Sequence, residues 1–512
     1  MSISAGGSPN EKRRSPDLVE RSAKAVFWGY LGGIAKLTVQ VAAQALLARI
    51  LGPSVFGIFA LGIIIVSISN FVAEGGIGAL IVREEVLDDE LVEFVFWWQQ
   101  LMAVGTALLI FFLSPAIASI FSKPESARVL QWLSLVCVAS SLGSASLNIL
   151  KRDLEYRFIQ FAQALSYFLG YAIVGVPLAI AGAGIWSLVV AWIVQAFMAS
   201  ALLYWRCRHG LTPRLRHKNA AAYAKYAAGA LTSNISTWAT GSIDKLIVGY
   251  EFSAGLLANY TVPNSLLSTP AVQLLSTLQG VLFSATSRRV SDLNSLRTSY
   301  LAMIEGVSLF ICPAYLTVFV FPDVFLLGLY GSKWAGAVEV TRPVAISVLF
   351  YSFSAVCTPF LWSLGRIRND AYIHLSALLA TTGCIWFVSS KFGVAEVAWT
   401  IVGITAVKAF LVIATTNTAL LAKSLDILRA GTPGFVLSLI VIVSLKIFMA
   451  AASDWTSSSE GRLSMFVVCA AIVYAAGFRY IAYRMLSGIM RERISGAICS
   501  IRSRARRFSP GS

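Results

Sequence analysis

The sequence has little charge and few of the residues that usually bind metals or form disulfides. Only 13% of its 512 residues are Asp, Glu, Lys or Arg, against about a quarter in soluble domains, which excludes an ordinary soluble fold. It has only three histidines. Its seven cysteines are scattered and form no Cys-x-x-Cys pair. This pattern favours neither a zinc site nor a disulfide framework. We therefore expect no metal and no cofactor.

Motifs that bind nucleotides or break covalent bonds are also missing. The chain contains no G-x-x-x-x-G-K-[ST] phosphate loop, no H-E-x-x-H and no G-x-S-x-G. Its longest stretches between apolar runs, 206–223 and 321–340, are far shorter than the roughly 50 residues of a small domain. We expect a protein that acts within the bilayer and is not an enzyme. The first 24 residues lack an apolar core followed by a cleavage site, so we expect no removable signal peptide.

Long apolar runs are abundant, and hydrophobic residues make up 57% of the chain. A bilayer core of about 30 Å takes about 20 helical residues to cross, and fourteen runs are close to that length. The sequence therefore predicts an all-α, polytopic membrane protein with about 14 transmembrane helices. The predicted spans are 25–48, 56–81, 94–113, 129–150, 159–180, 186–205, 224–248, 256–285, 300–320, 341–363, 371–389, 397–421, 433–450 and 464–485.

Basic residues indicate how these spans are oriented. Of the 41 lysines and arginines, 27 fall in the segments on one side of the predicted spans, 6 on the other and 8 within the spans. Lys and Arg accumulate in cytoplasmic loops, so both termini are predicted to be cytoplasmic. The net charge of +16 comes from residues beside the membrane rather than from a basic face interleaved with aromatics. This distribution argues against a nucleic-acid partner.

An internal repeat accompanies the apolar runs. When the chain is shifted by 201 residues, segment 51–61 (LGPSVFGIFAL) matches segment 252–262 (FSAGLLANYTV) in the order of small, aromatic and apolar residues. Many transporters build two bundles around a central site from such repeats. We therefore predict two six-helix bundles around a central cavity, followed by two more helices. The predicted divisions are a disordered cytoplasmic arm 1–24, bundles 25–205 and 224–421, a basic cytoplasmic linker 206–223, helices 422–485 and a basic tail 486–512.

Four segments resemble one known family as an ordered set. They are 48–60 (ARILGPSVFGIFA), 74–83 (EGGIGALIVR), 150–158 (LKRDLEYRF) and 244–249 (DKLIVG). This set is similar to the bacterial polysaccharide exporters, the oligosaccharide-lipid flippases of the multidrug/oligosaccharidyl-lipid/polysaccharide exporter superfamily. Segment 251–254 (EFSA) departs from the usual Leu-Gly turn of that family.

The resemblance implies a function and partners that composition alone does not. It implies alternating-access transport of an undecaprenyl-pyrophosphate-linked oligosaccharide to the outer leaflet of the bacterial inner membrane. The product would be a succinoglycan-like exopolysaccharide or another surface polysaccharide, such as lipopolysaccharide. It also implies a polysaccharide polymerase and co-polymerase as partners.

Ionisable residues within apolar spans are candidate site residues, because a buried charge is costly unless it faces protein or water. Lys36 and Lys408 are central in spans of opposite halves. A lysine ammonium is a suitable partner for a phosphate in a low-dielectric cavity, so we predict that both bind the pyrophosphate. Lys36 belongs to a polar face of the first span with Gly29, Gly33, Gln40 and Gln44. Gly29 and Gly33 are predicted to let another helix approach closely.

The second and seventh spans carry further polar residues at helical spacing. Glu74 is predicted either to carry a coupling proton or to form a structural ion pair. Asp244 and the adjacent Lys245 lie near the outer interface, where structural pairing is favoured over ligand contact. Candidate contacts to sugar hydroxyls are Gln40, Gln44, Asn70, Asn234, Tyr260 and Asn264.

Two other functions fit a polytopic chain less well. A multidrug or cation exporter of the same superfamily would favour acidic residues at the centre of the membrane, where this chain has lysines. A membrane-embedded polymerase or ligase would need a large outer loop carrying arginines. The longest predicted outer segment, 321–340, holds only Lys333, and Arg342 follows it at the start of the next span.

The basic asymmetry predicts the result of a topology experiment. A reporter that is active only outside the cytoplasm should be active when fused after Ser253, Gly331 or Thr456 and silent when fused after Arg216, Arg289 or Arg502, because Lys and Arg are retained inside. Reporter activity normalised to fusion-protein level provides the measurement. Reversal at any two of the six positions would rule out the fourteen-span arrangement.

Overall fold

A computed structural model describes residues 9–74, 77–84, 87–287, 292–451, 459–482 and 485–486. These residues form helices and no β-strand, so the predicted all-α class is confirmed. The α-helices are α1 Pro9–Leu51, α2 Pro53–Glu74, α3 Gly78–Arg83, α4 Asp89–Ile120, α5 Ser126–Leu142, α6 Ser144–Arg152, α7 Tyr156–Tyr167, α8 Val176–Ile180, α9 Ile185–Arg206, α10 Ala220–Glu251, α11 Ala254–Ser287, α12 Leu293–Val320, α13 Pro322–Tyr330, α14 Val338–Ser363, α15 Ile367–Ser389, α16 Val394–Leu420, α17 Ser424–Ala451 and α18 Ser459–Gly477. A π-helical stretch, Phe168–Gly175, joins α7 to α8, and a 3₁₀ turn, Ser332–Ala337, precedes α14.

Among the described residues, eleven helices are long and apolar enough to cross a membrane. The chain is therefore a multi-pass membrane protein. The other three predicted spans correspond to α2, α10 and α11. Helices α10 and α11 carry many Ser, Thr and Asn residues, which lower their mean hydropathy. The count of fourteen transmembrane helices remains a prediction.

The first helix begins earlier than predicted, at Pro9. Residues 9–24 therefore continue α1 instead of forming the disordered arm that the sequence predicted. This stretch contains several Glu, Lys and Arg residues, which have high helix propensity.

The chain divides into two compact units, Met1–Thr261 and Val262–Ser512. The sequence predicted the division in the linker 206–223, before α10. In the structure α10 packs against α2, so it belongs to the first unit.

Two turns that the repeat aligns with each other are in contact within the first unit. Gly52, with φ of 78°, separates α1 from α2, and Pro53 begins α2. One turn later, a Cβ atom at Gly57 would lie 1.7 Å from the carbonyl oxygen of Ala254, so only glycine permits this approach. The α1–α2 turn therefore lies beside the start of α11.

Lys123, in the loop between α4 and α5, contacts the end of α10 and so places this loop at the same end of the first unit. The last carbonyls of a helix have no partner within it. The Lys123 ammonium donates to the carbonyl oxygens of Gly249 (2.5 Å) and Phe252 (3.0 Å), where α10 ends, and to that of Phe121 (3.1 Å). Partial burial lowers the pKa of Lys123 below its ordinary value. All three of these connections are predicted to lie outside the cytoplasm, and the contacts place them on one side.

The predicted cytoplasmic connections meet one another in the same way. Arg152, at the end of α6, donates to the carbonyl oxygens of Ile81 (2.8 Å) and Glu84. Arg206, at the end of α9, forms an ion pair of 2.8 Å with Glu155. The relative sidedness of these connections therefore agrees with the predicted alternation. Which side faces the cytoplasm remains a prediction.

The basic linker is ordered where it follows α9, and residues 207–219 are here called the strap. Trp97 and Trp98 of α4 donate their indole N–H groups to the carbonyl oxygens of Leu211 (3.1 Å) and Leu215 (3.2 Å). Arg214 of the strap forms ion pairs with Glu90 (3.2 Å) and Glu93 (3.3 Å) on α4. The strap is thus fixed along the first turns of α4.

The second unit is organised around α12 and α14. Helix α12 packs against α14 and α17, α14 packs against α16, and α15 packs against α16. Tyr315 of α12 donates to the carbonyl oxygen of Leu267 (2.6 Å), and Tyr300 donates to the side-chain oxygen of Asn417 (3.2 Å). These buried hydrogen bonds connect α12 to α11 and α16.

Replacing Lys123 with Met should destabilise the protein. The substitution keeps the length of the side chain but leaves half-buried helix-end carbonyls without a donor, which costs about 1–3 kcal/mol. Thermal unfolding of the purified protein in detergent, followed by tryptophan fluorescence, should show a midpoint several degrees lower. The matched control is Lys218→Met, at an exposed strap position. Equal midpoints for the two variants would show that the Lys123 contacts contribute nothing.

Candidate substrate-binding site

Lys36 lies on the face of α1 that packs against α7. Its ammonium donates to the side-chain oxygen of Gln163 on α7 at 2.8 Å. Among the described residues no carboxylate forms an ion pair with Lys36. A neutral amide therefore solvates the ammonium without cancelling its charge.

Within α1, the described residues Leu31–Leu51 are long and apolar enough to cross a membrane. Lys36 lies within this stretch. Gln40 and Gln44 follow at one-turn intervals and are half-buried.

Gly32, for which no role was predicted, lies where α1 approaches α7 closely. A Cβ atom at Gly32 would lie 2.5 Å from the Cβ of Gln160 on α7, whereas no described atom lies within 4 Å of the same position at Gly29. The described residues therefore place no helix against Gly29, and its predicted role stays a prediction. Gly32 lies one helical turn before Lys36, so the contact with α7 follows the face that carries Lys36.

Lys408 has an acidic neighbour, unlike Lys36. It lies near the middle of the span Val394–Leu420 on α16, as predicted. Its ammonium is within electrostatic range of Asp370 and His374 on the adjacent helix α15. Asp370 lies just before the predicted span 371–389 and was therefore not predicted as a site residue.

Asp370 is buried although it begins a transmembrane helix. Its relative exposure is 5%. One carboxylate oxygen, Oδ2, accepts a hydrogen bond of 3.0 Å from the indole N–H of Trp362. The other, Oδ1, lies 3.8 Å from Nε2 of His374 and has no hydrogen-bond partner among the described residues.

Asp244 and Lys245 form the ion pair that the structural interpretation predicted. The Lys245 ammonium lies 3.5 Å from Oδ1 of Asp244 and also donates to the carbonyl oxygen of Gly241. Tyr260, a predicted sugar contact, is fully buried, and its hydroxyl donates to Oδ2 of Asp244 at 2.6 Å. Both carboxylate oxygens are therefore engaged by protein groups.

Of the other predicted site residues, the structure describes the side chain of Asn264 but not those of Asn70 and Glu74. Asn264 is half-buried and accepts a hydrogen bond of 3.3 Å from Ser268 on its own helix. Trp238 was missed: its indole N–H donates to the hydroxyl of Ser67 at 2.8 Å and joins α10 to α2. An indole N–H is a hydrogen-bond donor, but the apolar ring of Trp238 gives no signal in a search for charged, amide and hydroxyl side chains.

The fold and these side chains define a class of protein. Membrane-length helices without a separate soluble domain, with lysines and carboxylates on them, are typical of membrane transporters. The chain belongs to the polysaccharide biosynthesis protein family, whose model matches residues 46–339, more than half of its length.

Relatives and solved structures agree with this assignment. The succinoglycan biosynthesis transport protein ExoT of Rhizobium meliloti is 24% identical over 360 residues, 70% of this chain and 73% of its own. The lipopolysaccharide biosynthesis protein WzxC of Escherichia coli is 20% identical over 358 residues, 68% and 71% of the two chains. These matches confirm the resemblance to the polysaccharide exporters.

Two solved structures show the same fold. The lipid II flippase MurJ in an inward closed conformation superposes with a TM-score of 0.68 at 14% identity, covering 90% of this chain and 99% of its own. An inward-facing multidrug resistance transporter of the MATE family gives a TM-score of 0.57 at 15% identity, covering 76% and 98%.

The contacts of Asp244 predict coupling between two substitutions. Tyr260→Phe and Asp244→Asn should each destabilise the purified protein, by about 1–3 kcal/mol for a broken buried hydrogen bond, and the double variant should lose less than their sum. A double-mutant cycle on unfolding free energies measures the coupling. Polysaccharide export per molecule of protein should stay near the parental value. Additivity within about 0.5 kcal/mol, or loss of export without loss of stability, would contradict a structural role.

Proposed function

We propose that this protein is a flippase that moves a polyprenyl-pyrophosphate-linked oligosaccharide from the inner to the outer leaflet of a bacterial inner membrane. The translocated unit is then polymerised into an exopolysaccharide or another surface polysaccharide. Membership of the polysaccharide biosynthesis family and the relative named as a succinoglycan transport protein support this proposal. We further propose that both termini are cytoplasmic and that transport proceeds by alternating access. A polymerase and a co-polymerase act downstream of it.

The observation that carries the proposal is that Lys36 forms no ion pair with a carboxylate among the described residues. A charged group inside a transmembrane helix costs several kcal/mol unless it meets water, protein or a counter-charge. The Gln163 amide supplies one hydrogen bond at 2.8 Å and no negative charge. A pyrophosphate would supply at least two negative charges, and a lysine ammonium serves as a point-charge partner for such an anion. Lys408 is the proposed second cation, on the second unit.

A cation exporter fits these groups less well. A cationic cargo would be repelled by Lys36 and would need an uncompensated carboxylate. Asp244 pairs with Lys245, and Asp370 lies within electrostatic range of Lys408. Asp244 therefore has a lysine that offsets its charge, and Asp370 has Lys408 on the helix that packs against its own.

Deleting the gene and restoring it with single variants tests this function. The deletion strain should accumulate lipid-linked oligosaccharide in its lipid extract and lose surface polysaccharide. Lys36→Gln should restore little export at a normal level of membrane-inserted protein, because losing a charged hydrogen-bond partner costs about 1.5–3 kcal/mol, roughly a ten- to hundredfold loss of affinity. Lys408→Gln should behave similarly, and Lys36→Arg should retain part of the activity.

The matched control is Lys446→Gln, an exposed lysine on α17, which should export normally. Parental export by both Lys36→Gln and Lys408→Gln would contradict the anion site. A deletion strain that accumulates no lipid-linked oligosaccharide would contradict the flippase itself.

A further inference from the structure

Helices α1 and α7 lie side by side and run in the same direction. Gly32 of α1 meets Gln160 of α7, and four residues later Lys36 donates to Gln163. Helix α1 also packs against the π-helical stretch and α8, which continue the same span. Positions further along the two helices therefore stay level with one another, at about 6 Å for every four residues.

Two glutamines of α1 and two tyrosines of the α7 span occupy the next turns. Gln40 and Gln44 follow the lysine by one and two turns. Tyr167 and Tyr171 follow its glutamine partner by one and two turns. Residues at this spacing share a helical face, so each glutamine comes level with one tyrosine. All four lie within stretches that are long and apolar enough to cross a membrane, and together they are here called the α1–α7 polar face.

The two tyrosines form a stacked aromatic pair. Their ring centroids are 4.4 Å apart and their planes are inclined by 17°. Tyr171 is buried, with 8% of its surface exposed, whereas Tyr167 is half-buried. The backbone that follows Tyr167 is π-helical and packs closely on α9, because a Cβ atom at Gly170 would lie 2.5 Å from the carbonyl oxygen of Ala191. Tyr167 is therefore the ring that a ligand can contact, and Tyr171 positions it.

The four side chains of the α1–α7 polar face have hydrogen-bonding groups without protein partners. None of them forms a hydrogen bond with another described residue, although a buried tyrosine hydroxyl usually has one. The exposed side chains in 161–175 are apolar: Phe161, Phe168 and Ile173. Hydrocarbon supplies no hydrogen bonds, so a position facing lipid suits these apolar residues and not the polar face. Water or a ligand that carries hydroxyl groups would satisfy it.

The chemistry of the α1–α7 polar face fits a sugar better than a phosphate. A primary amide both donates and accepts hydrogen bonds, as sugar hydroxyls do, and the apolar C–H face of a sugar ring can pack on an aromatic ring. Ligand sites commonly combine aromatic surface with a few polar groups in this way. A phosphate needs a cation, and the face itself contains none. Lys36 lies one turn before Gln40, so a phosphate and a sugar would have adjacent positions.

We propose that the α1–α7 polar face binds the sugar residue nearest the pyrophosphate of the lipid-linked oligosaccharide, while Lys36 binds the pyrophosphate. The ring of Tyr167 stacks on the sugar, and Tyr171 positions that ring. The amides of Gln40 and Gln44 bind the sugar hydroxyls. This inference rests on the proposed function and names the part of the cargo that the first unit recognises. A site built for hydroxyl groups binds a ligand without them more weakly.

The affinities of three probes for the purified full-length protein in detergent test this subsite. One probe is geranylgeranyl pyrophosphate, and the other two carry a single glucose or a single galactose on the same pyrophosphate. Isothermal titration calorimetry measures each dissociation constant. The parent protein should bind at least one sugar-bearing probe about tenfold more tightly than the sugar-free probe, because a ring contact and additional hydrogen bonds are gained.

Four variants and a matched control separate the roles. Tyr167→Leu removes the ring but keeps an apolar side chain, so it should bind sugar-bearing and sugar-free probes about equally. Tyr167→Phe keeps the ring and should retain most of the preference, and Gln40→Met should lose part of it. Lys36→Gln should weaken binding of all three probes and leave the preference in place. The control is Phe168→Leu, which removes an exposed ring at the next position of the same span and should behave like the parent.

The outcomes distinguish this inference from the proposed function. A parental preference retained in Tyr167→Leu, or a parent protein that prefers neither sugar-bearing probe, would overturn the subsite and leave the flippase proposal intact. If Tyr167→Leu does not fold, Gln40→Met decides: an unchanged preference in that variant would overturn the subsite as well. A parent protein that binds none of the probes would overturn the anion site at Lys36 together with the subsite. Accumulation of lipid-linked oligosaccharide in the deletion strain would still test the flippase independently.

Discussion

Hydrocarbon offers no hydrogen-bond partners, so each polar group placed at membrane depth must find one within the protein or in a water-filled cavity. The long helices satisfy this requirement for most backbone groups. The ionisable side chains and the polar groups at helix ends also need hydrogen-bond partners. Gln163 solvates Lys36, Tyr260 and Lys245 engage Asp244, and Lys123 provides donors for the end of α10.

The ionisable groups differ in how completely that requirement is met, and this difference separates structure from function. Asp244 has both oxygens engaged by protein groups, which is the arrangement expected of a stabilising contact. Lys36 is solvated but keeps its charge, and Asp370 keeps one buried oxygen without a hydrogen bond among the described residues. A buried charge without its full set of partners destabilises a fold. A bound ligand that supplies the missing partner would remove that destabilisation, so such groups are candidates for function.

The sequence predicted what depends on local composition and periodicity. Apolar runs located the helices, and the distribution of Lys and Arg predicted the alternation that the contacts of Lys123 and Arg152 reproduce in the first unit. Contacts between distant segments could not be predicted in this way. The partner of Lys36 is 127 residues away, and one turn of α1 decides whether Gly29 or Gly32 meets α7. Asp370 was not predicted because sequence alone locates a span boundary only to within a few residues. It lies one residue before the predicted span 371–389.

The strap has a consequence for how the first unit tolerates change. A long basic connection between transmembrane helices is ordinarily the place where proteases cut and where inserted sequences are accepted. Here two indole groups hold its backbone carbonyls, and Arg214 anchors it to α4. A protease must bind its substrate segment in an extended form, and these contacts oppose that change in the backbone of the strap. We therefore expect the strap to resist proteolysis more than its composition indicates. The strap therefore has the charged composition of a flexible linker but is held in one conformation by its contacts with α4.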